Sequence, residues 1–293
     1  MISSYKSSAE YIGLRDTTKA AYDGRLEALR EDHGHRTVAG LSRERIVVAI
    51  LQPFADRPGA ALDTLKKLRI LIRHAISIGM LKHDPSLGIK RPKIQRIRSW
   101  TDDEIATYRD RWPPGTKQRL AFELFACTGQ RRSDVVRMAW SHITVDNKIM
   151  VQQQKTNRRL LIPLHRDLLA ALAVAERKHI AILTTAYGRP FTVDGFSQWM
   201  RDAITAAGLQ LECQPHGLRK ATGRRLAEAG ATAKEIMAVL GHTTLAEAER
   251  YTEEADQAGL AEAAVIRLEG HKANLVSQTA PLSLGKQSKE KGN

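Results

Sequence analysis

Cysteine is nearly absent. Cys127 and Cys213 are the only two, far apart and in no CxxC spacing. A disulfide framework and a cysteine-based zinc cluster are therefore excluded, and a reducing compartment, the cytoplasm, is the expected location. Long apolar runs are missing too. The opening MISSYKSSAEYIGL has no signal-peptide core, and runs such as Ile46-Val47-Val48-Ala49-Ile50-Leu51 are far too short to span a bilayer. No membrane partner is expected. There is no GxxxxGK[ST] phosphate loop, and His33, His35 and His179 have no companions at metal-ligand spacing. Acidic residues are the scarcer charge: 32 against 46 lysines and arginines, a net charge of +14. That balance favours a polyanionic partner, with nucleic acid the first candidate.

What is present fits two domains. The chain has 293 residues, 42% hydrophobic, and domains commonly run ~100–200 residues. Residues 1–85 read as a helical domain: a short helix at Ala9–Leu14, a longer one from Thr17 to Arg30, a third with Ser42 as N-cap, and the clearest from Pro58 to Gly79. In this last helix Leu65, Leu68, Ile72, Ala75 and Ile76 recur at spacings of three and four. Lys66, Arg69 and Arg73 share another face, either a solvated row or one that meets phosphates. Residues 86–99 read as a basic linker. Pro85 and Pro92 break any helix there, and Lys90, Arg91, Lys93, Arg96 and Arg98 supply charge to grip a duplex. Residues 100–270 form the second domain. It opens with the capping box Thr101–Glu104 and carries a second box at Thr244–Glu247. Between Ser141 and Leu164 the pattern changes to three short strands separated by Asp146-Asn147 and Thr156-Asn157-Arg158 turns. The fold class is mainly α with a small antiparallel sheet. Residues 271–293 have the composition of a disordered tail.

Five stretches of the second domain carry chemistry: Thr128-Gly129-Gln130-Arg131-Arg132-Ser133-Asp134, Lys155-Thr156, His216-Gly217-Leu218-Arg219, Leu240-Gly241-His242 and Tyr251-Thr252. Each alone is ordinary. Their order and spacing together are not, with Tyr251 nine residues after His242. Together they resemble the tyrosine recombinase (phage integrase) family, which carries an arginine in a TGxRxxE-like turn, a lysine in a β-hairpin, an HxxR pair, a histidine or tryptophan after LG, and a tyrosine about nine residues on. The likeness is close from about 100 to 255 and architectural before that. Two positions depart from the pattern: Gln130 stands where an apolar residue is common, and Asp134 replaces a glutamate.

The resemblance implies a SAM-like helical core-binding domain followed by the catalytic domain. It implies a site-specific recombinase that cleaves and rejoins DNA through a 3′-phosphotyrosine with a free 5′-hydroxyl, needing neither metal nor cofactor. Arg131 and Arg219 would hold the phosphate, since guanidiniums stay charged and present planar donor forks. Tyr251 would be the nucleophile, His216 its proton acceptor, Lys155 the donor to the departing oxygen and His242 a hydrogen-bond donor to the phosphate. Pro215 suits a helix start, which puts His216 and Arg219 on one face. Asp134 would support Arg131 or the helix start from behind. Lys66, Arg69, Arg73, Arg91, Lys93 and Arg158 are the remaining DNA-contact candidates. The expected partners are a double-stranded recombination site, three further copies on two duplexes, and optionally a DNA-bending accessory protein. Integration and excision is the leading activity. Dimer resolution, type IB topoisomerase-like relaxation and a non-cutting DNA-binding protein are the alternatives. The stripe Leu260, Ala261, Ala264, Val265, Leu268 could pack on its own domain or on a neighbouring protomer.

Overall fold

The computed structural model describes residues 1–210, 212–253, 259, 261–262 and 264–269. The tail 271–293 and Leu260 lie outside the described residues. The chain divides into two compact units, one ending at Arg96 and one starting at Ile97.

Unit 1 is helical: α1 (Ile2–Lys6), α2 (Ala9–Ile12), α3 (Asp16–His33), α4 (Arg43–Arg45) running on into a π-helical stretch over Ile46–Leu51, and α5 (Pro58–Ser77). Ser42 caps α4 by accepting the Arg45 N–H. Pro58 occupies the first turn of α5, where its missing N–H costs nothing. The stripe expected on α5 is the one buried: Leu65, Leu68, Ile72 and Ala75 have at most 3% of their surface exposed. They pack with Tyr5, Tyr11, Leu26, Leu29, Ile46 and Ile50, and Ile76 sits at the edge of this core. The first part of the expected linker is not extended chain. Ser86 is fully buried and Ile89 joins the core. Arg69 clamps the segment, donating to the Ser86 hydroxyl and carbonyl at 3.3 Å each and to the Ile89 carbonyl at 2.8 Å.

Unit 2 contains α6 (Asp102–Arg111), α7 (Lys117–Thr128), α8 (Arg132–Val135), β1 (Lys148–Gln152), β2 (Arg159–Pro163), α9 (Arg166–Ala173), α10 (Val193–Ala206), α11 (Pro215–Glu228), α12 (Ala233–Leu240) and α13 (Leu245–Glu253). Helix α7 is the centre of the core. Leu120, Ala121, Phe122, Leu124 and Phe125 are all buried, and α9 and α11 lie against it. A helix buried on all sides tolerates a charge only if it is paired. Glu123, with no exposed surface, accepts two hydrogen bonds from Arg109 (2.9 and 2.8 Å) and one from Arg119 (2.7 Å).

The capping box Thr101–Glu104 is present, with both reciprocal bonds made. The second complete box is Thr232–Glu235, opening α12. At the second expected box, Glu247 instead reaches the Thr243 N–H. The sheet has two strands, not three: β1 and β2 pair antiparallel, with Ile149 opposite Ile162 and Val151 opposite Leu160. Of the first expected strand, His142 ends a 3₁₀ turn, Ile143 makes a single bridge to Ile149, and Val145 already belongs to the next turn.

Trp100 fixes the start of α11. It is fully buried, its indole N–H donates to the Gln214 carbonyl at 2.9 Å, and its ring meets Tyr108 edge-on. Trp100→Ala should lower the unfolding free energy by ~3–5 kcal/mol, measured by urea denaturation of the full chain. A loss under ~1 kcal/mol would show that the site collapses around the gap rather than depending on the indole.

Candidate active site

Arg131 follows the left-handed Gly129 that ends α7 and is itself the N-cap residue of α8. Its guanidinium is half-covered, and its Nη1 donates to Gln153 Oε1 at 3.1 Å. Arg219 projects from α11 and is buried, 2% exposed. Its Nη1 donates to the Gly129 carbonyl at 2.7 Å, while its Nη2 has no hydrogen-bond partner among the described residues. Burial, then the charge of Arg131, lowers the Arg219 pKa to about 10; Tyr251, Asp134 and Glu247 pull the other way. The charge of each guanidinium thus disfavours the other, and burial adds to the cost. A buried, unsatisfied arginine nitrogen beside another cation is what a phosphate oxygen would complete.

His216 stands one turn before Arg219 on α11, as the HxxR spacing requires, and keeps an exposed face. Partial enclosure of the ring, followed by Arg219, Lys220, Arg131 and Lys155, holds its pKa below the ordinary imidazole value. The ring is therefore neutral at pH 7 and able to accept a proton. Lys155 lies exposed in the β1–β2 turn, close enough for its charge to be felt at His216.

His242 follows the left-handed Gly241 that ends α12. It is 5% exposed, and its Nδ1 has no partner among the described residues. Burial, then Arg219, lowers its pKa to about 4. Tyr251, on α13, stacks on it: the rings lie 5.6 Å apart and 7° from parallel. The phenol ring also rests on Gly223 of α11. A Cβ built there would come within 2.6–2.8 Å of three ring carbons, so α13 can approach α11 only over a glycine. The tyrosine is therefore held over the helix that bears His216 and Arg219, within the same chain.

Asp134 does not hold Arg131. Its Oδ1 accepts the Gln154 N–H at 2.9 Å, tying the hairpin turn to α8, and its Oδ2 is buried without a partner among the described residues. Arg158, placed on DNA from the sequence, donates from Nη1 to the His242 carbonyl. Lys66, Arg73, Arg91 and Lys93 are exposed on unit 1. Lys66, Arg73 and Arg91 line one groove of about 420 Å³ with Arg69, whose donors are occupied within the unit. Beside Arg131 and His216 opens a second pocket of about 510 Å³, lined also by Arg132, Ser197 and Arg201.

The sequence profile of the phage integrase family matches residues 103–258, a stretch that contains all six catalytic candidates. The chain belongs to the phage integrase family. The integrase of Escherichia phage HK022 is 26% identical to it over 263 residues, 84% of this chain and 73% of that protein. The integrase of Escherichia phage lambda is 27% identical over 83% of this chain and 72% of its own length. Tyrosine recombinase XerC of Mycobacterium tuberculosis (strain ATCC 25177 / H37Ra) is 26% identical over 83% of this chain and 91% of its own. Among solved structures, lambda integrase (75-356) as a dimer bound to a COC′ core site superposes with a TM-score of 0.74 at 24% identity, covering 85% of this chain and 93% of that one, which bears on the fold. Lambda integrase (residues 75-356) bound to DNA gives 0.70 at 26% identity, covering 83% and 91%. The chain is a site-specific tyrosine recombinase, of integrase or XerC-like type.

One residue of the site belongs to none of the sequence motifs. Gln153 is fully buried, yet nothing in Gln152-Gln153-Gln154 singles it out by type. The strand period does: Ile149 and Val151 point inward, and Gln153 is next on that face.

His242 also gives the site a pH signature. Its folded pKa of about 4 lies below the unfolded value of about 6.5. Its contribution to stability is full above pH 6.5 and is lost as pH falls through 4, up to about 3 kcal/mol. Urea unfolding at pH 7 and pH 5 should show a smaller pH effect in His242→Gln than in wild type. Equal slopes would show that the ring titrates normally.

Proposed function

We propose that the chain is an integrase-type recombinase acting on duplex DNA with the six residues in the roles their positions suit. Arg131 and Arg219 bind the non-bridging oxygens of the scissile phosphate. The Tyr251 oxygen attacks phosphorus and gives its proton to neutral His216. The phosphorus–O5′ bond breaks as Lys155 protonates the departing oxygen. A 3′-phosphotyrosine and a free 5′-hydroxyl result, and an incoming 5′-hydroxyl reverses the step on a new strand. The diester is exchanged, so no external energy source is required. His242 supports the phosphate from Nδ1 or Nε2, whichever carries the proton. The observation that carries this reading is the pair of unpartnered buried nitrogens on Arg219 and His242 beside a tyrosine that stacks on His242 in the same chain.

Integration and excision is supported by the relatives named integrase. Resolution of chromosome or plasmid dimers is the second reading, supported by the XerC relative matched over 91% of its length. Four copies on two duplexes are supported by the lambda integrase tetramer bound to a Holliday junction, TM-score 0.71 at 25% identity. The expected C-terminal stripe adds to this: Ala261, Ala264, Val265 and Leu268 are all exposed, which leaves their apolar face for a neighbouring protomer. A DNA-bending accessory protein remains part of the proposal as an optional partner. No helix of the described residues is long and apolar enough to cross a membrane, and work on DNA fits the cytoplasm.

The test begins with a randomised library of duplexes, each carrying one nick so that cleavage is not reversed. Denaturing capture and sequencing should recover a preferred site covalently joined to the wild-type chain. Tyr251→Phe should bind the recovered duplex and yield no adduct. A trapped adduct from Tyr251→Phe, or binding without any wild-type adduct, would defeat the proposal. Relaxation of supercoiled DNA with no preferred site would point to topoisomerase-like action instead.

A further inference from the structure

The amide of Gln153 touches three parts of the site at once. Its Oε1 accepts from Arg131 Nη1 at 3.1 Å and from the Thr156 hydroxyl at 2.6 Å. Its Nε2 donates to Gln130 Oε1 at 2.7 Å and to the Leu240 carbonyl at 2.8 Å. Thr156 is the neighbour of Lys155 in the hairpin turn, and Leu240 ends the helix that leads through Gly241 to His242. Gln130, also fully buried, donates from Nε2 to the Thr128 carbonyl at 2.8 Å and the Val239 carbonyl at 2.9 Å. The two glutamines thus satisfy carbonyls at the end of α12 that a helix leaves without partners of its own.

The orientation of the Gln153 amide is not free. Arginine can only donate and a carbonyl can only accept, so a flipped amide would face a donor with a donor and a carbonyl with an oxygen. Backbone contacts tighten the arrangement. Gly241, in the left-handed region at φ 69°, lies so close that a Cβ there would meet the amide at 2.5–2.7 Å. The Gln153 N–H donates to the Arg158 carbonyl, and the Asn157 N–H donates to the Gln153 carbonyl, each at 2.8 Å. The residue that closes the hairpin turn is therefore also the one that grips Arg131 and the His242 arm.

We propose that Gln153, braced by Gln130, is a positioning residue that sets Arg131, the Lys155 turn and the His242 arm as one unit. The inference rests on the recombinase reading of the site. A shift of the hairpin on its DNA is then passed to the arginine that binds the phosphate, so proton donation and phosphate binding are assembled together. Gln153 touches none of the reacting atoms itself. Its influence is through geometry, where small misplacements cost large factors in rate.

The experiment compares Gln153→Met and Gln130→Met with wild type on the duplex recovered by adduct capture, in two forms. One has the natural oxygen at the scissile 5′ position. The other has sulfur there, and a thiolate leaves without a proton donor, so it reports phosphate binding without the Lys155 step. Methionine keeps the volume and removes the hydrogen bonds. Gln153→Met should bind the duplex within about threefold of wild type and cleave the oxygen form about 100-fold more slowly, yet lose only about tenfold on the sulfur form. Gln130→Met should show a smaller loss with the same oxygen-to-sulfur imbalance, which keeps the test alive if Gln153→Met folds poorly. Cleavage by Gln153→Met at the wild-type rate overturns the proposal. So does an equal loss on both substrates, or a loss matched by weaker DNA binding and a lower Tm, since each is what a merely structural glutamine would give. Failure of the wild type to form an adduct would sink the recombinase reading itself. Normal wild-type adducts with normal variants would sink only the role of Gln153.

Discussion

Two guanidiniums share a basin, and one of them is almost completely buried. That arrangement is unfavourable by itself: Arg219 loses its hydration and sits beside Arg131, and the pair lowers its affinity for a proton. The fold offsets part of the cost with the Gly129 carbonyl and leaves one nitrogen unsatisfied. A phosphodiester that loses a leaving group spreads charge onto its non-bridging oxygens, and donors already fixed in place need not reorganise to meet it. Burial, and after it the same cations, lower the pKa values of His216 and His242, which favours the neutral form of both rings. Burial and one electrostatic imbalance together would prepare the two arginines, His216 and His242 for the roles proposed for them.

The rest of unit 2 serves to hold that imbalance in place. The buried helix α7 delivers Gly129 and Arg131 at its end, and α11 packs on it to deliver His216 and Arg219. Trp100 fixes where α11 starts. Helices α12 and α13 fold back so that Tyr251 stacks on His242 and rests on Gly223. The hairpin reaches the same place through Gln153 and Asp134, and Arg158 ties it to the His242 backbone. Helices carry His216, Arg219 and Tyr251, Arg131 and His242 stand just past helix ends, and Lys155 stands in the hairpin turn.

Much of this was legible in the sequence because the chemistry demands particular residue types. Arginine, histidine, lysine and tyrosine suit those roles by their charge and proton chemistry, and their order along the chain survives as a readable pattern. Helices α5 and α6 were equally plain, one from its apolar period and one from its capping box. What stayed hidden depends on where a polar side chain finds its partner in three dimensions. Arg69 and Arg158 are long cations in a basic chain, and nothing local shows that their donors are spent on nearby carbonyls. By sequence Asp134 would hold Arg131 or the helix start; its Oδ1 instead accepts the Gln154 N–H of the hairpin turn. The glutamine at position 130, noticed only as a departure from an apolar norm, marks the start of a buried polar relay. The missing third strand reflects two turns that close on either side of Ile143 and leave it one bridge.

The central claim is that one chain supplies both the cations and the phenol for one phosphate. Mixing Arg219→Ala with Tyr251→Phe on a duplex bearing a single recombination site tests it directly, since neither variant alone holds a complete set. The account predicts no covalent protein–DNA product from the mixture at any ratio. Recovery of adduct on the Arg219→Ala chain would mean that the tyrosine attacks a phosphate held by another protomer, and the arrangement described above would be wrong.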